Sequence, residues 1–178
     1  MSGPGDGLTG VSVFAPARLV AADLIYLPGG DPDLIPATMT GTAAGAAIAT
    51  ALAGGAVVAG ASAGAMGLAE LTWTPAGIVA GLGAVGGLLV VPHADADSWA
   101  RNLRRFGGGA STQAAVGILG LGERTGVIGP GDGTWRVVGE GEVRWLPAGS
   151  GTGPGSADLD PDAALVLRDG DRLDTRSA

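Results

Sequence analysis

The chain has 178 residues and carries ten basic side chains, all Arg, against 17 acids, for a formal net charge of −7. That length suits one domain with a core between helices and a sheet, and the acidic balance opposes a phosphate backbone, which excludes nucleic acid as a partner. Cysteine is absent, which removes disulfide scaffolds, thiolate metal sites and cysteine nucleophiles.

Apolar residues make up 46% of the chain, but much of that share is Ala, and there are 35 Gly besides; the core is expected to form by close backbone approach. The opening Met1-Ser2-Gly3-Pro4-Gly5-Asp6-Gly7 has neither the basic nor the apolar segment of a secretory signal, so a cytoplasmic protein is the expectation. The uncharged stretch 41–69 is longer than the roughly 20 residues that cross a bilayer. It is built of Ala, Gly, Ser and Thr, however, with few of the residues that drive insertion, and no membrane partner is expected.

In chain order, short apolar runs ending at Gly or Pro predict strands at 10–14, 24–27, 56–59, 88–91 and 117–121, apolar enough to be covered on both faces. Helices are predicted at 43–52, 63–71 and 98–106. Strand and helix alternate, which favours an open α/β fold: a mostly parallel sheet flanked by helices. From Gly126 the pattern changes, because residues 135–138 and 143–146 alternate polar and apolar around Gly139-Glu140-Gly141, as a β-hairpin would. Residues 147–155 are rich in Gly, Pro and Ser and predict a linker, followed by a final strand at 163–167 and a turn at Asp169-Gly170. A single α/β domain over 1–146 and a trailing segment over 147–178 are the expected organisation.

Gly60-Ala61-Ser62-Ala63-Gly64 fits G-x-S-x-G between a predicted strand and a predicted helix, the context that makes this pattern a nucleophile elbow. Small flanking residues let the backbone turn sharply, so the Ser62 hydroxyl protrudes while the Ala63 N–H and the helix dipole face developing negative charge. In a chain this rich in Gly and Ala, the same pentapeptide also suits a tight packing turn. A serine nucleophile needs a base, and the only histidine is His93, placed after Val90-Val91-Pro92 at a predicted strand end, where open α/β sheets build their sites. Leu27-Pro28-Gly29-Gly30-Asp31 ends another strand in two glycines able to offer backbone N–H groups, or to make an ordinary turn.

Taken together, Ile25-Tyr26-Leu27-Pro28-Gly29-Gly30-Asp31, Ala59-Gly60-Ala61-Ser62-Ala63-Gly64-Ala65-Met66, Val91-Pro92-His93 and Gly120-Leu121-Gly122-Glu123-Arg124-Thr125 resemble, in that order, the dipeptidase E and cyanophycinase family of serine peptidases. The resemblance runs from about residue 21 to 146. It implies a fold similar to class I glutamine amidotransferases, with serine in place of their cysteine, and hydrolysis of peptides next to aspartyl residues. By position, Ser62 is then the nucleophile, His93 the general base, and the Gly30 and Ala63 N–H groups the oxyanion hole, with Gly29 shaping that turn. The implied partner is a small peptide, with no cofactor.

The chain departs from that pattern in two places. The family's triad carboxylate follows the serine by about fifteen to twenty residues, and residues 77–82 contain no acid. Glu70 is the only acid between Ser62 and His93 and is the candidate, with Asp95 a weaker local one and Glu123 left without a role. Relatives also begin with a further strand-helix-strand portion, so against the family this chain is N-terminally short: either its start is truncated, or the domain is minimal with an exposed sheet edge that a second copy could cover. Arg101, Arg104 and Arg105 lie at i, i+3 and i+4 of a helix, a solvated face or, at Arg101 and Arg104, a site for a substrate carboxylate. No metal site is suggested, one histidine without cysteine making a poor cage. Two functions follow: acyl transfer to water by Ser62, or a catalytically silent module of the same fold that binds a ligand or partner.

Overall fold

Leu24–Leu27 (β1) and Val57–Gly60 (β2) pair in parallel, with Leu24 opposite Val57 and Leu27 opposite Gly60. The computed structural model describes residues 11–106, 116–150 and 159–176, with side chains from residue 16 onward. Ile25 and Leu27 point inward onto Ile35, Ile48, Ala51 and Leu68. The helix Ala43–Ala53 (α3) supplies Ile48 and Ala51 to that cluster and begins at Thr42, whose hydroxyl accepts the Gly45 N–H. The helix Leu34–Thr38 (α2) contributes Ile35.

A second sheet has the strand order Leu165–Leu167 (β10), Val143–Leu146 (β9), Gly117–Leu121 (β6), Val85–Val91 (β5), Ala69–Thr74 (β3), Gly77–Ala80 (β4). It is parallel at its centre, β3 with β5 and β5 with β6, and antiparallel toward both edges. Alternate residues of β5 serve opposite faces. Leu89 and Val91 join Trp99, Leu103 and Phe106 of the helix Trp99–Phe106 (α5), while Leu88 and Val90 join Ala65, Val137 and Leu173. Double cover of this kind is why the run reads as continuously apolar. Thr125–Ile128 (β7), Thr134–Gly139 (β8) and Arg172–Asp174 (β11) form a third, antiparallel sheet. The fold is open α/β, as expected.

Several elements differ from expectation. Residues 11–20 form a helix, Val11–Val20 (α1), where a strand is predicted at 10–14; Gly10 lies outside the described residues. A short apolar run suits either element, and α1 gains its packing against α3. The helix after Ser62, Ala63–Leu68 (α4), stops before residue 71 because Ala69 starts β3, whose Thr72 and Thr74 are buried between β4 and β5. Residues 135–146 do not make one hairpin. β8 pairs with β7 and β11, whereas β9 pairs with β6 and β10. Trp145 explains β9's choice: its ring lies over Gly117, where a Cβ would come within 2.0 Å of it. Downstream of residue 147, β10 and β11 pair with strands of the main body; the predicted linker lies largely outside the described residues. Among the described residues, no helix is long and apolar enough to cross a membrane.

Candidate active site

Ser62 joins β2 to α4 with φ 50° and ψ −119°, a strained conformation for a residue other than glycine. Two glycines make room for it. A Cβ on Gly60 would lie 2.6 Å from the Gly64 backbone, and one on Gly64 would lie 2.0 Å from the Leu27 carbonyl oxygen. The elbow is further pinned by Ala61 N–H donating to Leu27 O (3.0 Å) and Met66 N–H donating to Ser62 O (3.0 Å).

His93 follows β5 through Pro92, also at positive φ, 53°. Its ring nitrogen Nε2 is 3.1 Å from Ser62 Oγ, and its Nδ1 is 2.5 Å from Glu123 Oε1. An ionised carboxylate only accepts, so Nδ1 carries the proton and donates to Glu123. In the neutral ring Nε2 is then left as the acceptor for the Ser62 hydroxyl. The three side chains lie in line, hydroxyl to imidazole to carboxylate, which is the geometry that a Ser-His-acid triad requires. The arrangement is open to water: the His93 and Glu123 side chains are 53% and 60% exposed.

Glu123 reaches His93 because β6 is the parallel neighbour of β5, so Gly122 and Glu123 leave one strand beside the point where Pro92 and His93 leave the other. Gly122 N–H donates to Glu142 O (3.0 Å), and Glu123 N–H donates to Asp95 Oδ1 (2.9 Å). The His93 carbonyl accepts from Ser98 Oγ (2.5 Å) and Asn102 Nδ2 (2.7 Å).

Residues 15–81 match the model of peptidase family S51. The match takes in the Gly29-Gly30 turn, the Ser62 elbow and Glu70, and it ends before His93 and Glu123. Among solved structures, the chain is similar to a peptidase from an acI-B1 Actinobacterium, with a TM-score of 0.60 and 22% sequence identity. That likeness covers 89% of this chain and 63% of the peptidase, so the chain spans less than two thirds of the protein it resembles in fold. None of the curated proteins matches.

The other residues singled out from the sequence are placed as follows. Glu70 is not brought to His93: it is exposed on β3, where its carboxylate accepts the Gly87 N–H (2.7 Å), close to where the register between β3 and β5 shifts. Asp95 touches the backbone of Glu123 rather than the histidine ring. Gly29 stands against the elbow, where a Cβ would lie 3.1 Å from Ser62 Cβ, and Gly30 adopts φ 151°. The N–H groups of Gly30 and Ala63 donate to no group among the described residues, and the latter is free because it opens α4. Arg101 and Arg104 are exposed on α5 with no hydrogen bond or ion pair among the described residues, while Arg105 lies over the Trp73 and Phe106 rings. Glu123 is the residue that sequence reasoning left unassigned. The usable signal was its position just past a strand, on the edge shared with Ser62 and His93.

Proposed function

We propose that this chain is a serine peptidase that hydrolyses short aspartyl peptides through an acyl-enzyme. The observation that carries the proposal is the continuous path from Ser62 Oγ to His93 Nε2 and from His93 Nδ1 to Glu123. The match to peptidase family S51 over residues 15–81 supports the reaction class. The aspartyl preference comes from the resemblance of the Gly29-Gly30, Ser62 and His93 segments to dipeptidase E and cyanophycinase.

In this mechanism Ser62 Oγ attacks the peptide carbonyl carbon as its proton passes to His93 Nε2, and Glu123 stabilises the imidazolium that forms. The Gly30 and Ala63 N–H groups, neither donating elsewhere among the described residues, stabilise the tetrahedral oxyanion, helped by the N-terminus of α4. The imidazolium then gives its proton to the leaving amine as the C–N bond breaks. Water, giving a proton to His93, attacks the ester carbonyl; the C–Oγ bond then breaks as His93 returns that proton to Ser62 Oγ, releasing the acid and the free serine hydroxyl. Arg101 and Arg104 are assigned to a substrate carboxylate on charge alone.

The alternative, a silent module that binds a ligand or partner, drew its case from the absent triad carboxylate and the short N-terminus; the Glu123 carboxylate beside His93 Nδ1 supports the peptidase reading on the first of these points. The test is labelling by a fluorophosphonate serine-hydrolase probe. Native protein is expected to label, and Ser62→Ala and His93→Ala are not; a folded native protein that stays unlabelled would make the silent module the better account.

A further inference from the structure

His93 and Glu123 leave two different strands, β5 and β6, and their side chains are both more than half exposed. Water therefore competes for each of them, and the 2.5 Å contact between them depends on what holds the two loops. Asp95 belongs to the first loop and grips the second. Its Oδ1 accepts the Glu123 N–H at 2.9 Å. Its own carbonyl accepts the N–H groups of Ser98 (2.9 Å) and Trp99 (2.8 Å), and Ser98 Oγ returns to the His93 carbonyl at 2.5 Å. Gly122 leaves the space for this grip, since a Cβ there would lie 3.0 Å from Asp95 Oδ1 and 2.8 Å from Glu142 O.

We propose that Asp95 is a positioning residue of the triad, clamping the Glu123 backbone so that the Glu123 carboxylate meets His93 Nδ1. The proposal rests on the peptidase reading for its catalytic consequence. The clamp needs an acceptor at that point and not a charge, because the partner is a neutral backbone N–H. Asp95 thereby differs from Glu123, whose charge faces the ring that becomes cationic.

The chain has one histidine, so the imidazole N–H region of a proton spectrum reports His93 alone. Native protein is expected to show a low-field Nδ1–H resonance from the bond to Glu123. Asp95→Ala, checked for a cooperative melt, is expected to lose or broaden that resonance and to slow fluorophosphonate labelling about 10²-fold, the scale of a misplacement of about 1 Å. Asp95→Asn keeps an acceptor oxygen and is expected to restore both. A native resonance and labelling rate in Asp95→Ala would overturn the proposal, as would an Asn variant as damaged as the Ala one. Should Asp95→Ala fail to fold, the Asn variant decides: native values sustain the clamp and their loss refutes it. If native protein does not label at all, the peptidase reading falls, and the resonance comparison still decides the clamp.

Discussion

Glu123 Oε1 meets His93 Nδ1 at 2.5 Å, on the far side of the ring from Ser62. The carboxylate favours the tautomer in which Nε2 can accept from the serine hydroxyl, and in the proposed mechanism its charge would face the imidazolium formed during attack. Glu123→Gln removes that charge and lets the amide present the wrong group to Nδ1. Labelling by a fluorophosphonate is expected to slow by about 10²- to 10⁴-fold, the upper figure being typical of a lost orienting acid. Glu70→Ala, which removes the acceptor of the Gly87 N–H, is expected to lower the melting temperature slightly and leave the labelling rate near native.

Gly64 lies under the Leu27 carbonyl with no room for a side chain. In Gly64→Ala the obstacle is backbone, so α4 or the end of β1 must move, and Ser62 with it. Overpacking of this kind costs about 1–3 kcal/mol, measurable by urea unfolding. The labelling rate is expected to fall further than the loss of folded protein explains, because the elbow and the Gly29-Gly30 turn shift apart.

Gly117→Ala tests a packing contact remote from the serine elbow. The new methyl would meet the Trp145 ring at 2.0 Å, between β6 and β9, at an expected cost of about 1–3 kcal/mol. Adding Trp145→Phe shortens the ring side and should recover part of that cost. The two changes are therefore expected to be non-additive in unfolding free energy, as neighbours in contact are. Strict additivity would show that the ring does not rest on Gly117.

Asp132 supplies a pH-dependent term away from the triad. Its carboxylate accepts the Thr134 hydroxyl at 2.6 Å and the Thr134 N–H at 2.9 Å, and these bonds hold its pKa below the usual carboxylate range. With a folded-state pKa lower than the unfolded one, the carboxylate stabilises the fold above the ordinary Asp range and loses that contribution as pH falls through the lowered value. Asp132→Asn is expected to lower the neutral plateau of the melting-temperature curve slightly and to flatten its acid side, since the contribution lost in acid is then missing throughout. An unchanged acid limb would count against the assignment.

Much of the site was legible in the sequence because its central part is local. Strand, sharp turn and helix around Ser62 lie within a dozen residues, and the glycines at 60 and 64 are needed by contacts made inside that unit and with β1. His93 followed from being the one histidine at a strand end. The strands at 24–27 and 117–121 and the helices near 43–52 and 98–106 were equally readable, since burial on both faces or on one stripe writes itself into the run of side chains. What the sequence left open was every choice of partner. Glu70 is nearer than Glu123 to Ser62 along the chain, yet Glu123 reaches His93, because β6 lies beside β5 and carries it to the same edge. Alternation marked β8 and β9 as strands and could not say that they belong to different sheets; the Trp145 ring over Gly117 decided that. A strand's own residues set its periodicity, but its neighbour is set by which distant segment fills the adjoining space, and only the tertiary structure holds that information.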